Sequence, residues 1–103
     1  MRKADVFMHE VHAGILEELS PGTRYRFTYD PVYEGSPVSL TAPVRPEPYE
    51  FEVFPPFLEG LLPEGYNLEA LLRALKIDRR DLFSQLLAVG KDMVGAVTVR
   101  EAE

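Results

Sequence analysis

Two histidines are the residues of this sequence whose type and spacing most nearly suggest a metal or acid–base site. His9 and His12 are the only histidines, and on a helix an i, i+3 pair could join a carboxylate in binding a metal. The surrounding residues predict a strand and a turn instead. Both histidines are therefore expected to be exposed at the surface.

The carboxylates and glycines give no stronger chemical signal. Glu17 and Glu18 are neighbours, and Glu50 and Glu52 alternate, which favours a solvated charged edge over an acid–base pair. Cysteine is absent, so thiol nucleophiles, disulfides and thiolate metal sites are excluded. No glycine-rich pattern that cradles phosphates occurs. The sequence therefore predicts no catalytic, cofactor-binding or metal-binding residue.

Composition predicts one soluble globular domain spanning residues 1–103. Hydrophobic residues make up 46% and charged residues 27%. A net charge of -6 disfavours direct binding to nucleic acid. No signal-peptide pattern occurs, and no apolar run approaches the roughly 18 residues needed to cross a membrane. We therefore expect a cytoplasmic protein without membrane contact.

The first part of the chain predicts strands. Alternation over Ala4–His9 indicates a first strand, which turns near His9–Glu10 into a short strand over Gly14–Glu17. Pro21 and Gly22 favour a type II turn. The clearest strand follows, with Tyr25, Phe27 and Tyr29 expected to face inward.

The middle of the chain is rich in proline and is not expected to be helical. Between residues 30 and 48 lie five of the nine prolines, with a short edge strand predicted over Val38–Thr41. A further strand is predicted where Tyr49, Phe51 and Val53 alternate with glutamates.

Three short helices and a last strand are predicted after that. The first begins at the Pro55–Pro56 pair and stops at Pro63, the second is capped by Asn67, and the third is capped by Asp78 and ends at Gly90. Val97–Arg100 alternates as a final strand. The predicted fold class is α+β: a small antiparallel β-sheet or short barrel, made of N-terminal strands and a C-terminal strand, packed with about three short α-helices.

The segment Leu61–Asn67 is the best candidate for binding. Pro63 and Gly65 are expected to stiffen it as a loop from which Glu64 and Tyr66 project, and an aromatic residue on a rigid loop is a common interface anchor. In the alternative, Tyr66 folds back and staples the next helix across its N-cap. Both interpretations fit the sequence.

Several blocks of sequence stand out by their order and spacing. Besides Gly14 and Leu16, they are Phe27–Tyr29, Pro37–Pro43, Phe57–Gly65, Asp81–Leu87 and Gly90–Val97. Together they resemble the N-terminal subdomain of HipA-type serine/threonine kinases, the toxins of bacterial toxin–antitoxin systems. The resemblance covers essentially the whole chain.

This resemblance implies a lid-like subdomain without the kinase's phosphate loop, catalytic aspartate or metal ligands, and hence not an enzyme. It implies a HipS-like antitoxin of a split, HipBST-type system. The implied partner is a HipA-like (HipT-type) kinase that lacks this subdomain, and a HipB-like DNA-binding protein could join them in a ternary complex. The hypothesis places the partner-binding residues in one segment: Phe57, Leu61, Leu62, Pro63, Glu64, Gly65 and Tyr66.

Two other interpretations stay open. The chain could be a structural accessory that completes the kinase or docks it to a DNA-binding repressor without inhibiting anything, or it could be an excised piece of a full kinase. The start at Met1 and the charged tail Arg100–Glu103 favour a complete small protein. Neither a cofactor nor a small-molecule substrate is expected.

Overall fold

A five-stranded antiparallel sheet forms the frame of the molecule. The computed structural model describes residues 2–90 and 96–102. The strands follow the spatial order β4-β3-β2-β1-β5. Their bounds are β1 Arg2–Met8, β2 Val11–Ser20, β3 Arg24–Tyr29, β4 Tyr49–Phe51 and β5 Val97–Glu101. The α+β prediction is confirmed, and the sheet is open and not a closed barrel.

Within the described residues, three helices accompany the sheet: α1 Pro56–Glu59, α2 Gly65–Leu75 and α3 Leu82–Val89. The predicted inward face of β3 is confirmed, because Tyr25, Phe27 and Tyr29 are all buried. Phe57 of α1 packs edge-on against Phe27, with ring centroids 5.8 Å apart. The core lies between this face of the sheet and the segments that cover it. Its largest fully buried side chains are Phe27, Phe83, Leu16, Leu58, Leu86, Gln85, Val6, Val99 and Pro55.

Two turn predictions are confirmed. His9 and Glu10 have φ values of 50° and 68° and connect β1 to β2, a backbone that matches the twist of a tight hairpin. Gly22 has φ 74°, and the Thr23 amide donates to the Ser20 carbonyl at 3.1 Å. The strand predicted at Gly14–Glu17 is longer than expected, because pairing with both neighbours extends it over Val11–Ser20.

Other local predictions are wrong. Val38–Thr41 is not a strand, and only an isolated bridge joins Ser39 to Ala42. Helix α2 begins at Gly65, so Asn67 lies inside its first turn and does not cap it. Helix α3 is capped by Asp81, whose carboxylate accepts from the Ser84 amide at 3.1 Å, and not by Asp78.

Gly90 does end α3, but with a right-handed backbone. The glycine is required for space, since a Cβ there would lie 2.2 Å from the Val99 carbonyl oxygen. The rest of the sequence block that begins at Gly90 falls partly on residues 91–95, which lie outside the described residues. Within the described part of the chain, no helix is both long and apolar enough to cross a bilayer.

Candidate partner-binding surface

The connection between α1 and α2 is a compact series of turns. Pro55 and Pro56 place the chain in the backbone geometry that starts α1. After Gly60, the Leu61 amide donates to the Leu58 carbonyl at 3.0 Å and the Leu62 amide to the Glu59 carbonyl at 3.1 Å. The segment is thus held by its own backbone up to Pro63.

The seven predicted contact residues divide into a buried and an exposed group. Leu62 belongs to the core, and Phe57 is half-buried against Phe27 and Phe51. Pro63 is half-buried, whereas Glu64 and Gly65 are exposed. Leu61 and Tyr66 are the two large apolar side chains of the group that face solvent. Phe57 and Leu62 therefore hold the segment in place, and Leu61 and Tyr66 are accessible to a partner.

Tyr66 was expected on a loop, but it lies in the first turn of α2. Glu64 is extended, with φ -130° and ψ 163°, and Gly65 has φ 58°, a left-handed value that favours glycine. The Tyr66 side chain is 94% exposed. It therefore does not fold back to staple the helix, and the second interpretation of this residue is wrong.

Helix α2 contributes no buried residue. Leucines at positions 68, 71, 72 and 75 have the spacing typical of a core-facing helix. Leu68, Leu71 and Leu72 are nevertheless only half-buried, and Leu75 is exposed. At 100° per residue, Tyr66 lies on the opposite side of the helix from these leucines. Tyr66 therefore projects outward while the leucine face only partly covers the domain.

His12 belongs to a polar cluster that sequence analysis missed. Its Nε2 lies 2.9 Å from Asp5 Oδ1 and its Nδ1 lies 3.0 Å from Asp30 Oδ2. Both bonds need a donating nitrogen, so the imidazolium satisfies them together. Partial burial lowers the pKa of His12, but the hydrogen bonds to Asp5 and Asp30 outweigh it, so this pKa is raised. The expectation of a merely exposed histidine is wrong here.

The cluster ties strands together and does not form a metal site. The two carboxylates bind opposite sides of the ring, so their oxygens do not converge on one point with a ring nitrogen. Among residues 2–90 and 96–102, no group of three or more acidic or histidine side chains could hold a metal ion. His12 thus links β1, β2 and the end of β3.

We expect the free energy of unfolding to fall slightly as the pH rises above about 6.5, the value of an unfolded histidine. A folded-state pKa that is raised gives stability that is complete below the unfolded pKa and is lost as the pH passes the folded value. The effect is small because the cluster is partly exposed. Urea unfolding across this pH range measures it.

In that experiment His12→Gln should remove the change, whereas the control His9→Asn, at an exposed turn position, should keep it. The same pH dependence in the parent and in His12→Gln would assign it to other groups.

Glu18 was expected on an outward edge, but its side chain is only 4% exposed. Arg2 pairs with it through two bonds, Nε to Oε1 at 2.7 Å and Nη2 to Oε2 at 2.9 Å. The same guanidinium donates to Asp81 Oδ1 at 2.8 Å and to Ser84 Oγ at 2.7 Å. A charge buried on β2 is thereby neutralised and connected to the start of α3. This arrangement is structural, since every member pairs with another.

Comparisons with known proteins cover almost the whole chain. A family model described as "HipA N-terminal domain" matches residues 4–100. A protein of Haemophilus influenzae described as uncharacterized is 34% identical over 101 residues, which covers 98% of this chain and 93% of that protein. The solved structure of the N-terminal domain of HipA toxin matches with a TM-score of 0.78 and 32% identity, covering 100% of this chain and 94% of that chain.

Proposed function

The chain belongs to the HipA N-terminal domain family, and from this premise we propose that it is an antitoxin that binds a HipA-like serine/threonine kinase toxin. The kinase is one that lacks its own copy of this domain, and neutralisation occurs by direct contact near the kinase active site. A HipB-like DNA-binding protein is a candidate third member of the complex. The domain acts in the cytoplasm, where such a kinase would phosphorylate its targets.

The observation that carries this proposal is the exposure of Tyr66. An aromatic side chain that is 94% exposed in the first turn of a helix offers a large apolar contact area to a partner. Leu61, in the connection between α1 and α2, is also exposed. Phe57 and Leu62 fix that connection to the core. Tyrosine anchors of this kind often carry much of the binding energy of an interface.

The geometry suggests how binding would inhibit. Gly65 and the turns before it give the segment Pro63–Tyr66 a defined backbone, so little ordering entropy is lost when it enters a cleft. Tyr66 would act as a wedge that blocks substrate or productive closure of the kinase. The exposed carboxylate of Glu64 would pair with a basic group of the kinase beside the wedge.

Tyr66→Ala is expected to weaken kinase binding about 30-fold, the effect of losing one interface hot spot. The fold should be unchanged because the side chain touches almost nothing within the domain. The measurement is titration of a HipA-like kinase that lacks this domain with the purified chain, together with growth of cells that express that kinase. Val11→Ala, which also shortens an exposed apolar side chain but lies on the β1–β2 hairpin, is the matched control.

The outcomes separate binding from neutralisation. Growth rescue by the parent and its loss in Tyr66→Ala, with Val11→Ala unchanged, would support the proposal. Binding of the parent to the kinase without rescue would instead indicate an accessory subdomain. Equal binding and rescue by Tyr66→Ala and the parent would contradict the wedge mechanism while leaving the antitoxin role in place.

A further inference from the structure

Leu40 is the most exposed of the large hydrophobic side chains in the described chain, at 98%. It lies in the tight turn Ser39–Ala42, in which the Ala42 amide donates to the Ser39 carbonyl at 3.1 Å. The Ser39 hydroxyl accepts from the Thr41 amide at 3.2 Å. A leucine at the tip of such a turn has nearly all of its apolar surface in water, so a partner that buries it would gain hydrophobic free energy.

The core holds this turn rigidly. The Tyr29 hydroxyl donates to the Ala42 carbonyl and accepts from the Val38 amide at 3.0 Å, so it clamps both ends of the turn. Tyr29 is buried and stacks on Tyr33, with ring centroids 5.8 Å apart and an angle of 12° between the planes. Leu40 is therefore presented on a preorganised backbone, and binding through it would cost little conformational entropy.

The sequence on both sides of Leu40 is uncharged. From Gly35 to Val44 the chain has no charged residue, although 27% of all residues are charged. Depletion of charge marks the core of protein interfaces. With no cation in this run and an overall charge of -6, nucleic acid and anionic lipid surfaces are poor partners for it. A folded protein that offers an uncharged apolar pocket fits best.

The Leu40 turn lies on the same face of the sheet as α1, the helix that precedes the Tyr66 connection. Phe27 and Tyr29 are two residues apart on β3, so their side chains share one face, and their ring centroids are 4.9 Å apart. Tyr29 holds the turn, and Phe27 contacts Phe57 of α1. The Leu40 turn and α1, which leads to Tyr66, are thus held against the same face of the sheet.

We propose that Leu40 is a second anchor that binds the same kinase chain as Tyr66, by inserting into an uncharged apolar pocket of the kinase. This inference rests on the proposed function, since the kinase is the occupant of both contacts. It extends the partner-binding surface from the α1–α2 connection to the proline-rich segment. Tyr29 is then a positioning residue, which acts by holding the turn.

The test is titration of the kinase with the full chain carrying Leu40→Ala, Tyr66→Ala or both. Leu40→Ala should weaken binding about tenfold, the effect of an anchor weaker than a hot spot, and the double variant should bind more weakly than either single variant. Val32→Ala is the matched control, because Val32 is 81% exposed in the same proline-rich segment but outside the turn. Tyr29→Phe keeps the ring but removes both hydrogen bonds to the turn. It should weaken kinase binding although the Leu40 residue itself is unchanged.

Each result decides a different point. No binding of the parent would overturn the proposed function and this inference together. Weaker binding by Tyr66→Ala but parental binding by Leu40→Ala would overturn the second anchor alone. A parent that self-associates in light scattering, with Leu40→Ala monomeric and its kinase affinity unchanged, would assign the turn to a second copy of this chain and overturn the inference.

Discussion

Replacing Arg2 with methionine is expected to lower the free energy of unfolding by about 3 kcal/mol, because it leaves a buried carboxylate without a partner. Glu18 would lose both of its short hydrogen bonds to the guanidinium, and Asp81 would lose its bond as well. The Arg2 guanidinium lies over the Phe83 ring, 4.9 Å from its centroid. Methionine keeps an unbranched apolar side chain beside that ring. The loss therefore reports on charge pairing more than on packing.

Urea unfolding measures this change, with Lys3→Met as the matched control. Lys3 is the next residue on β1, and its contact with Glu17 is a surface pair at 3.9 Å, so its removal should cost well under 1 kcal/mol. Adding Glu18→Gln to Arg2→Met should recover part of the loss, since no unpaired charge then remains buried. A loss in Arg2→Met no larger than that in Lys3→Met would show that water reaches Glu18 and solvates it.

Local patterns predicted the elements that depend on local chemistry. The alternation of Tyr25, Phe27 and Tyr29 predicts a strand with one buried face, and the structure has it. The hairpin at His9–Glu10 and the Pro21–Gly22 turn also follow from neighbouring residues. In each case the determining interactions lie within a few positions, where periodicity and turn preferences are informative.

Long-range partners explain most of what could not be predicted. Glu18 looks like a surface residue until the register of β1 and β2 places Arg2 opposite it. His12 looks exposed until the sheet brings Asp5 and Asp30 to its two nitrogens. The predicted cap of α3 was wrong for a different reason, because Asp78 and Asp81 are chemically equivalent cap candidates. Only the pairing of Asp81 with Arg2 and Ser84 distinguishes them.

The exposure of the candidate segment was predicted in part. Sequence analysis identified the segment but could not separate Leu62, which is buried, from Leu61, which is exposed, since adjacent leucines give the same signal. It also gave no role to Leu40. A lone leucine among prolines has no period to interpret, and its exposure becomes clear only when the Tyr29 clamp fixes the turn.

Gly14→Ala is expected to destabilise the domain by about 3 kcal/mol, because the new methyl group meets backbone and not a flexible side chain. An ideal Cβ at Gly14 would lie 2.3 Å from the Thr28 carbonyl oxygen and 3.0 Å from both Phe27 Cζ and Tyr29 Cα. Strands β2 and β3 would have to separate where Gly14 pairs with Tyr29. The strain falls on the residue that clamps the Leu40 turn.

Two other glycines provide graded controls for this substitution. A Cβ at Gly60 would have only an ordinary contact at 3.8 Å, and φ is -63°, so Gly60→Ala should be neutral or stabilise by about 0.5 kcal/mol. Gly22 has open space but a φ of 74°, so Gly22→Ala should cost about 1 kcal/mol from backbone strain alone. Chemical unfolding of the three variants gives the order. If Gly14→Ala costs no more than Gly22→Ala, strands β2 and β3 separate easily at this pair, and the close approach of Thr28 does not limit stability.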